Sequence, residues 1–158
     1  MAGRRPEPTP AQRALALLVR REHSRPELAR KLRARGVPAD EARSAVARMT
    51  EAGWQDDLRF ACSLARSRVA GGQGPVRIRA ELASHGIADH VVEEAFASLA
   101  AAGEDDWLAR ARDLVRRRFG NELVTLQARR KAADFLLRRG FDGDVVRAVT
   151  RAGPLEID

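Results

Sequence analysis

The sequence predicts an all-α protein, an elongated tandem array of three three-helix repeats with about nine helices, and three observations predict it. Apolar residues recur at spacings of three and four throughout, while β-branched residues are too sparse for strands. Glycines that read as helix stops recur at a fixed period. Gly36 and Gly86 are 50 residues apart, as are Gly53 and Gly103, and Gly103 and Gly153, with 54 between Gly86 and Gly140. In 158 residues, 44% hydrophobic and 32% charged, there is apolar material for one compact domain or for several small units in series. Tetratricopeptide and ankyrin arrays do not fit the period, since their units run about 33 to 34 residues.

Residues 1–8 read as a short flexible tail. The first unit, 9–53, opens with Thr9 as N-cap and Pro10 at the first helical position, followed by a stripe of Ala11, Ala14, Leu15, Leu18 and Val19, with Leu17 off it. Ser24-Arg25-Pro26-Glu27 reads as a capping box opening a second helix with Leu28 and Leu32 inside and Gly36 as its stop. A third carries Ala42, Ala45, Val46 and Met49 to Gly53. The second unit, 54–103, starts at Asp56 or Asp57 and runs through Leu58, Cys62, Ala65 and Val69. Pro75 then opens a helix through Ile78 and Leu82 to Gly86, and a third carries Val91, Val92, Ala95, Phe96 and Leu99 to Gly103. The third unit, 104–153, starts at Asp105 or Asp106 with Trp107, Leu108, Ala111, Leu114 and Val115. It continues through Ala128, Ala132, Phe135 and Leu136 to Gly140, and closes with Val145, Val146 and Val149 before Gly153; 154–158 form a tail. Val37, Ile87 and Phe141 each follow a stop glycine, the apolar position favoured by a Schellman C-cap. Each unit alone would be marginal, so neighbours should pack end to end.

Composition excludes several functions. No apolar run approaches the roughly 20 residues that cross a bilayer, and 1–10 lacks the apolar segment of a secretory signal, so a cytoplasmic protein is expected. The single cysteine, Cys62, permits neither an internal disulfide nor a cysteine-based zinc site, and its place on an apolar stripe reads as a small buried hydrophobe. His23, His85 and His90 lack metal-ligand spacing. Gly71-Gly72-Gln73-Gly74 lacks the Lys and Ser or Thr of a phosphate loop and reads as a flexible connector. The paired carboxylates Asp56-Asp57 and Asp105-Asp106 both open helices, where N-capping accounts for them. Trp54 and Trp107 start two units and are expected to pack between them. No nucleophile stands with a base, so no catalytic, cofactor or metal residue is assigned.

Charge points instead to a partner. The formal net charge is +7, and 27 of the 29 basic residues are arginine, Lys31 and Lys131 being the two lysines. Residues 1–53 hold 12 basic and 6 acidic residues, 54–103 hold 5 and 6, and 104–158 hold 12 and 10, so two basic regions flank a neutral middle. A polyanion or an acidic protein face suits this balance. On the first helix Arg13 and Arg20 oppose the apolar stripe, and on the second Arg30 and Arg33 oppose Leu28 and Leu32. In the third unit Arg116, Arg117 and Arg118 end one helix, and Arg130 opposes the Ala128, Ala132, Phe135 stripe with Lys131 at its flank. A solvated helix face is the competing reading for all of these. Arg35, Arg138 and Arg139 read as last-turn cations that complement the helix dipole.

Four segments together resemble one family. They are Arg21-Glu22-His23-Ser24-Arg25-Pro26-Glu27-Leu28, then Gly53-Trp54-Gln55-Asp56-Asp57-Leu58-Arg59-Phe60-Ala61, then Arg77-Ile78-Arg79-Ala80-Glu81-Leu82 leading to Gly86-Ile87, and Phe135-Leu136-Leu137-Arg138-Arg139-Gly140-Phe141. The chain is similar over about 11–153 to the bacterial regulatory protein family RecX. That resemblance implies tandem three-helix repeats and binding to the RecA recombinase and its filament on single-stranded DNA. It also implies restraint of ATP hydrolysis, strand exchange and coprotease function. A monomer without cofactor is expected, and direct contacts to DNA phosphate are a further expectation. The residues expected to bind the filament or DNA are Arg13, Arg20, Arg21, Arg25, Arg30, Arg33, Arg117, Arg130 and Lys131, with Arg20, Arg21 and Arg25 favoured for lying in or beside a matching segment. The competing function is a sequence-nonspecific nucleic-acid-binding helical protein that needs no recombinase.

Overall fold

The computed structural model describes residues 3 to 151. These form nine α-helices and no strand: α1 (Pro10–Arg20), α2 (Arg25–Ala34), α3 (Ala39–Glu51), α4 (Asp57–Ala70), α5 (Pro75–Ser84), α6 (Asp89–Ala101), α7 (Trp107–Phe119), α8 (Leu126–Arg139) and α9 (Gly143–Arg151). The principal helix pairings fall within α1–α3, within α4–α6 and within α7–α9. Each trio closes around its own core: Leu28, Leu32 and Val46 in the first, Phe60, Ile78 and Leu82 in the second, and Val115, Leu136 and Phe141 in the third. The expected stop at Gly153 and the tail 154–158 lie outside the described residues.

Local chemistry sets the helix ends. At α1, Thr9 Oγ1 accepts from the Gln12 amide at 3.2 Å and Gln12 Oε1 accepts from the Thr9 amide at 2.9 Å, a reciprocal capping box. The box expected at α2 forms only by half. Ser24 Oγ accepts from the Glu27 amide at 3.2 Å, but the Glu27 carboxylate turns to Arg21 and Lys31. Asp56 and Asp106 cap α4 and α7, whereas Asp57 faces the first unit. Gly36, Gly53, Gly86, Gly103 and Gly140 all have positive φ, and the amides of Val37, Ile87 and Phe141 reach back to Leu32, Leu82 and Leu136 in Schellman closures.

Three packing expectations are corrected. Val19 is 73% exposed, while Leu17 joins the first core, because α1 lies against both α2 and α3 and its apolar sector turns toward that angle. Phe60 is buried in α4 where Leu58 and Cys62 are only partly covered. Trp107 does pack between units, 6.3 Å from Phe96, but Trp54 sits in the turn before α4 and is 53% exposed.

The joint between the first and second units is polar and buried. His23 is buried with Nδ1 2.9 Å from the Arg21 carbonyl and Nε2 3.2 Å from Lys31 Nζ. A carbonyl can only accept, so Nδ1 carries the proton and Nε2 accepts from lysine. Gln55, also buried, donates to the His23 carbonyl at 3.2 Å and to Asp57 Oδ1 at 2.9 Å, and accepts from Thr50 Oγ1 at 2.8 Å. Asp57 Oδ1 also accepts from the Arg25 amide at 3.0 Å. Burial, helped by the charges of Arg21 and Lys31, lowers the His23 pKa against the upward pull of the Arg21 carbonyl and Glu27. Burial acts to raise that of Glu27, yet the Arg21 hydrogen bond and the charges of Arg21, His23 and Lys31 prevail and lower it. Segments 21–28 and 53–61 therefore meet in space.

Segments 77–87 and 135–141 meet at the second joint, where backbone touches backbone. The Gly74 amide donates to the Arg139 carbonyl at 2.7 Å, and the Val76 amide to the Gly140 carbonyl at 2.9 Å. A Cβ on Gly74 would stand 2.5 Å from the Gly140 carbonyl carbon, and one on Gly140 would overlap Arg77. Arg139 Nη1 donates to the Gly71 carbonyl at 3.1 Å and Arg77 Nη1 to that of Arg138 at 3.4 Å. The stretch 71–74, expected as a flexible connector, is thus the contact surface of the second unit, with Gly72 supplying a further positive-φ helix stop.

Candidate partner-binding surface

Arginine chemistry sorts the surface into struts and unpartnered cations. Every arginine of the second unit is engaged. Arg59 binds Glu22 and the carbonyls of Gly53 and Trp54, Arg66 meets Glu104, and Arg68 forks onto Glu81 at 2.8 and 2.6 Å. Arg77 caps Arg138 as above, and Arg79 pairs with Glu93 while lying 4.0 Å above the Phe96 ring. A planar guanidinium fork suits such bridges between elements. In the first unit, by contrast, the side chains of Arg13, Arg20, Arg25, Arg30, Arg33 and Arg35 make no hydrogen bond or ion pair among the described residues.

These free cations fall into separate places. Arg13, Arg20 and Arg35 line one groove between α1 and α2, a cavity of about 230 Å³ that also includes Gln12, Ala16, Leu17 and Leu32. Arg35, read from sequence as a mere helix-end cation, belongs to this set. Arg30 and Arg33 flank an open depression at the α2 C-terminus beside Gly36 and Val37. Arg25 is exposed at the start of α2, with its backbone amide engaged by Asp57. Arg130 and Lys131 are exposed side by side on α8.

Two expected binding residues are differently employed. Arg21 forks onto Glu27, whose side chain is 7% exposed, with Nη1 3.3 Å from Oε2 and Nη2 on Oε1, and it also donates to the Glu22 carbonyl. Arg117 pairs with Asp113 at 2.8 Å, sharing that carboxylate with Arg116. Arg139, read as a dipole partner, is a strut that also lies 5.2 Å from the Phe135 ring. Among the described residues no group of three His, Cys, Asp or Glu side chains could hold a metal, and no helix is long and apolar enough to cross a membrane.

Fold and surface define a helical-repeat protein that presents arginine-lined grooves and faces. The models of the first, second and third RecX three-helix domains match residues 12–49, 56–95 and 104–150. Regulatory protein RecX of Xanthomonas axonopodis pv. citri (strain 306) is 58% identical over 146 residues, 92% of this chain and 88% of that protein. Regulatory protein RecX of Stenotrophomonas maltophilia (strain R551-3) is 58% identical over 153 residues, 96% of this chain and 91% of that one. The crystal structure of RecX from Lactobacillus salivarius superposes with a TM-score of 0.73 at 21% identity, covering 90% of this chain and 92% of that one, a likeness of fold. This chain belongs to the RecX family, which is a family of regulatory proteins and not a known enzyme family.

Proposed function

We propose that this protein is a modulator, mainly negative, of the RecA recombinase. It binds the RecA filament on single-stranded DNA and restrains ATP hydrolysis, strand exchange and coprotease function, in the cytoplasm and in the setting of homologous recombination and the SOS response. The observation that carries this reading is the family match, which takes in all three helical units in order. A monomer with units at 9–53, 54–103 and 104–153 lies along the filament and bridges neighbouring subunits, impeding the subunit changes that accompany ATP turnover. No catalytic step of its own is required. The first unit supplies most of the contact surface, because eight of its nine arginines, all but Arg21, are unengaged within the fold among the described residues.

The test is recombinase ATP hydrolysis on single-stranded DNA titrated with this protein, beside DNA binding by this protein alone at the same salt. Inhibition at concentrations too low to coat the DNA is the expected result. No effect on hydrolysis, with tight binding whose log–log salt slope is roughly −0.7 per neutralised phosphate, would replace this reading with direct nucleic-acid binding. The exposed Arg130 and Lys131 are what favour that second reading.

A further inference from the structure

We infer that the groove between α1 and α2 receives an acidic amphipathic segment of a protein partner, with carboxylates on Arg13, Arg20 and Arg35 and an apolar side chain on the floor between them. The inference takes its protein partner from the regulatory reading and deepens it. Three guanidinium groups and no carboxylate line this groove, and none of the three is engaged within the fold. Arg13 and Arg20 are seven residues apart on one helix, which sets them about 10 Å apart along its axis. That separation matches acidic side chains two turns apart on a docked helix, or well spaced along an extended segment. Between them the floor is apolar, made by Ala16, Leu17 and the wall of Leu32.

A nucleic-acid strand fits this groove less well. Phosphates would satisfy the guanidinium groups, but binders of single strands rely on aromatic rings under the bases, and no aromatic side chain lines this groove. A sugar–phosphate chain would also bring charge onto the apolar floor, where burial without a partner is costly. An acidic segment with an interposed leucine places charge at the rim and apolar surface below, and arginine binds carboxylates in a paired, charge-assisted way.

The test uses the whole chain and three fluorescein-labelled probes: a short peptide of Asp and Glu with Leu at helical spacing, the same peptide with each Leu replaced by Ser, and oligo(dT). Ala16 is exposed and lies three residues after Arg13 and four before Arg20, so Ala16→Glu puts a competing carboxylate among the guanidinium groups without disturbing the core. The leucine peptide is expected to bind about tenfold tighter than the serine peptide, and Ala16→Glu to weaken it about tenfold, a change of about 1.4 kcal/mol. Arg112→Glu, an exposed position on α7 outside the groove, leaves peptide binding unchanged. Equal binding of the two peptides, or full binding by Ala16→Glu, overturns the inference. So does a loss of oligo(dT) binding in Ala16→Glu with the peptide unbound by either protein, which would make the groove a phosphate site. In the recombinase ATPase assay, wild type and Ala16→Glu inhibiting equally would sink the groove assignment and leave the regulatory reading standing. No inhibition by the wild type, with the peptide result as expected, would sink the regulatory reading alone.

Discussion

Gly74→Ala separates a built joint from a flexible connector. Gly74 has φ −90° and ψ 172°, a backbone that alanine adopts freely, so nothing local opposes the change. The obstacle is the other unit: the new Cβ would lie 2.5 Å from the carbonyl carbon and oxygen of Gly140 and 2.6 Å from the Phe141 amide nitrogen. Backbone on both sides cannot rotate away, so the joint must open. Opening weakens the Gly74–Arg139 and Val76–Gly140 hydrogen bonds, worth about 1 kcal/mol each, and overpacking adds about 1–3 kcal/mol. A loss of about 3 kcal/mol follows, or a fall in Tm of roughly 6–12 °C for a chain of this size. Gly71→Ala is the matched control in the same four residues. Its Cβ would meet only the Arg68 and Ser67 carbonyl oxygens at 3.5 Å, at φ −80°, so it should be neutral or stabilising by about 0.4–1 kcal/mol through the unfolded chain. Urea and thermal unfolding followed by circular dichroism measure both. If the two variants unfold alike, the glycine–glycine contact does not hold the second and third units together.

The remaining predictions concern the first joint and the cations beside it. Gln55→Leu takes the side-chain donor from the carbonyl of buried His23 and leaves Asp57 with the Arg25 amide alone, and should cost about 2 kcal/mol, read as a lower urea midpoint. His23 has its pKa lowered by burial, so below about pH 6.5 the unfolded chain takes up a proton that the native state resists and stability falls with falling pH. His23→Gln should flatten that slope between roughly pH 7 and 5, and an unchanged slope would count against a buried neutral imidazole. The lowered Glu27 pKa works at more acid pH, its stabilisation present above the ordinary carboxylate range and lost as pH falls through the native value. Arg20→Glu should leave stability within about 0.5 kcal/mol and weaken inhibition of the recombinase. Arg21→Glu should lower the urea midpoint, since it faces Glu27 with a second carboxylate.

Features governed by neighbours in sequence were legible before the structure. The caps at Thr9, Ser24, Asp56 and Asp106 and the stops at Gly36, Gly86 and Gly140 depend on residues within one turn, and periodicity locates them. Contacts across long separations were not. Gly74 meets Gly140 from 66 residues away, and the bonds that tie the second unit to the first, from the Arg25 amide to Asp57 and from Gln55 to the His23 carbonyl, each span 32 residues. The Leu17 and Val19 exchange has the same origin. A helical wheel finds an apolar sector, but which edge of it is covered depends on where two other helices lie. Among the candidate binders, charge alone could not separate Arg20 from Arg21, one lining an open groove and the other forked onto Glu27.

That last distinction bears on what family resemblance says about function. Segments 21–28 and 53–61 converge on the first joint, and 77–87 with 135–141 on the second. The residues that make this chain look like its relatives are thus largely those that set how one unit sits on the next. On the proposed filament-bridging function this has a physical logic: the spacing and tilt of successive units decide whether contacts made by one unit are in reach of the next subunit. The second unit spends three of its five arginines, Arg59, Arg66 and Arg77, on that geometry and the other two on its own helices, while the first leaves eight unengaged among the described residues. Binding chemistry should accordingly be sought outside the matching segments, at Arg13 and Arg20, with Arg35 completing their groove. Loosening a joint should then reduce inhibition of the recombinase even when every groove residue is intact. Gly74→Ala, assayed below its unfolding temperature, is the variant to show it, and full inhibition by that protein would mean the units bind independently of their alignment.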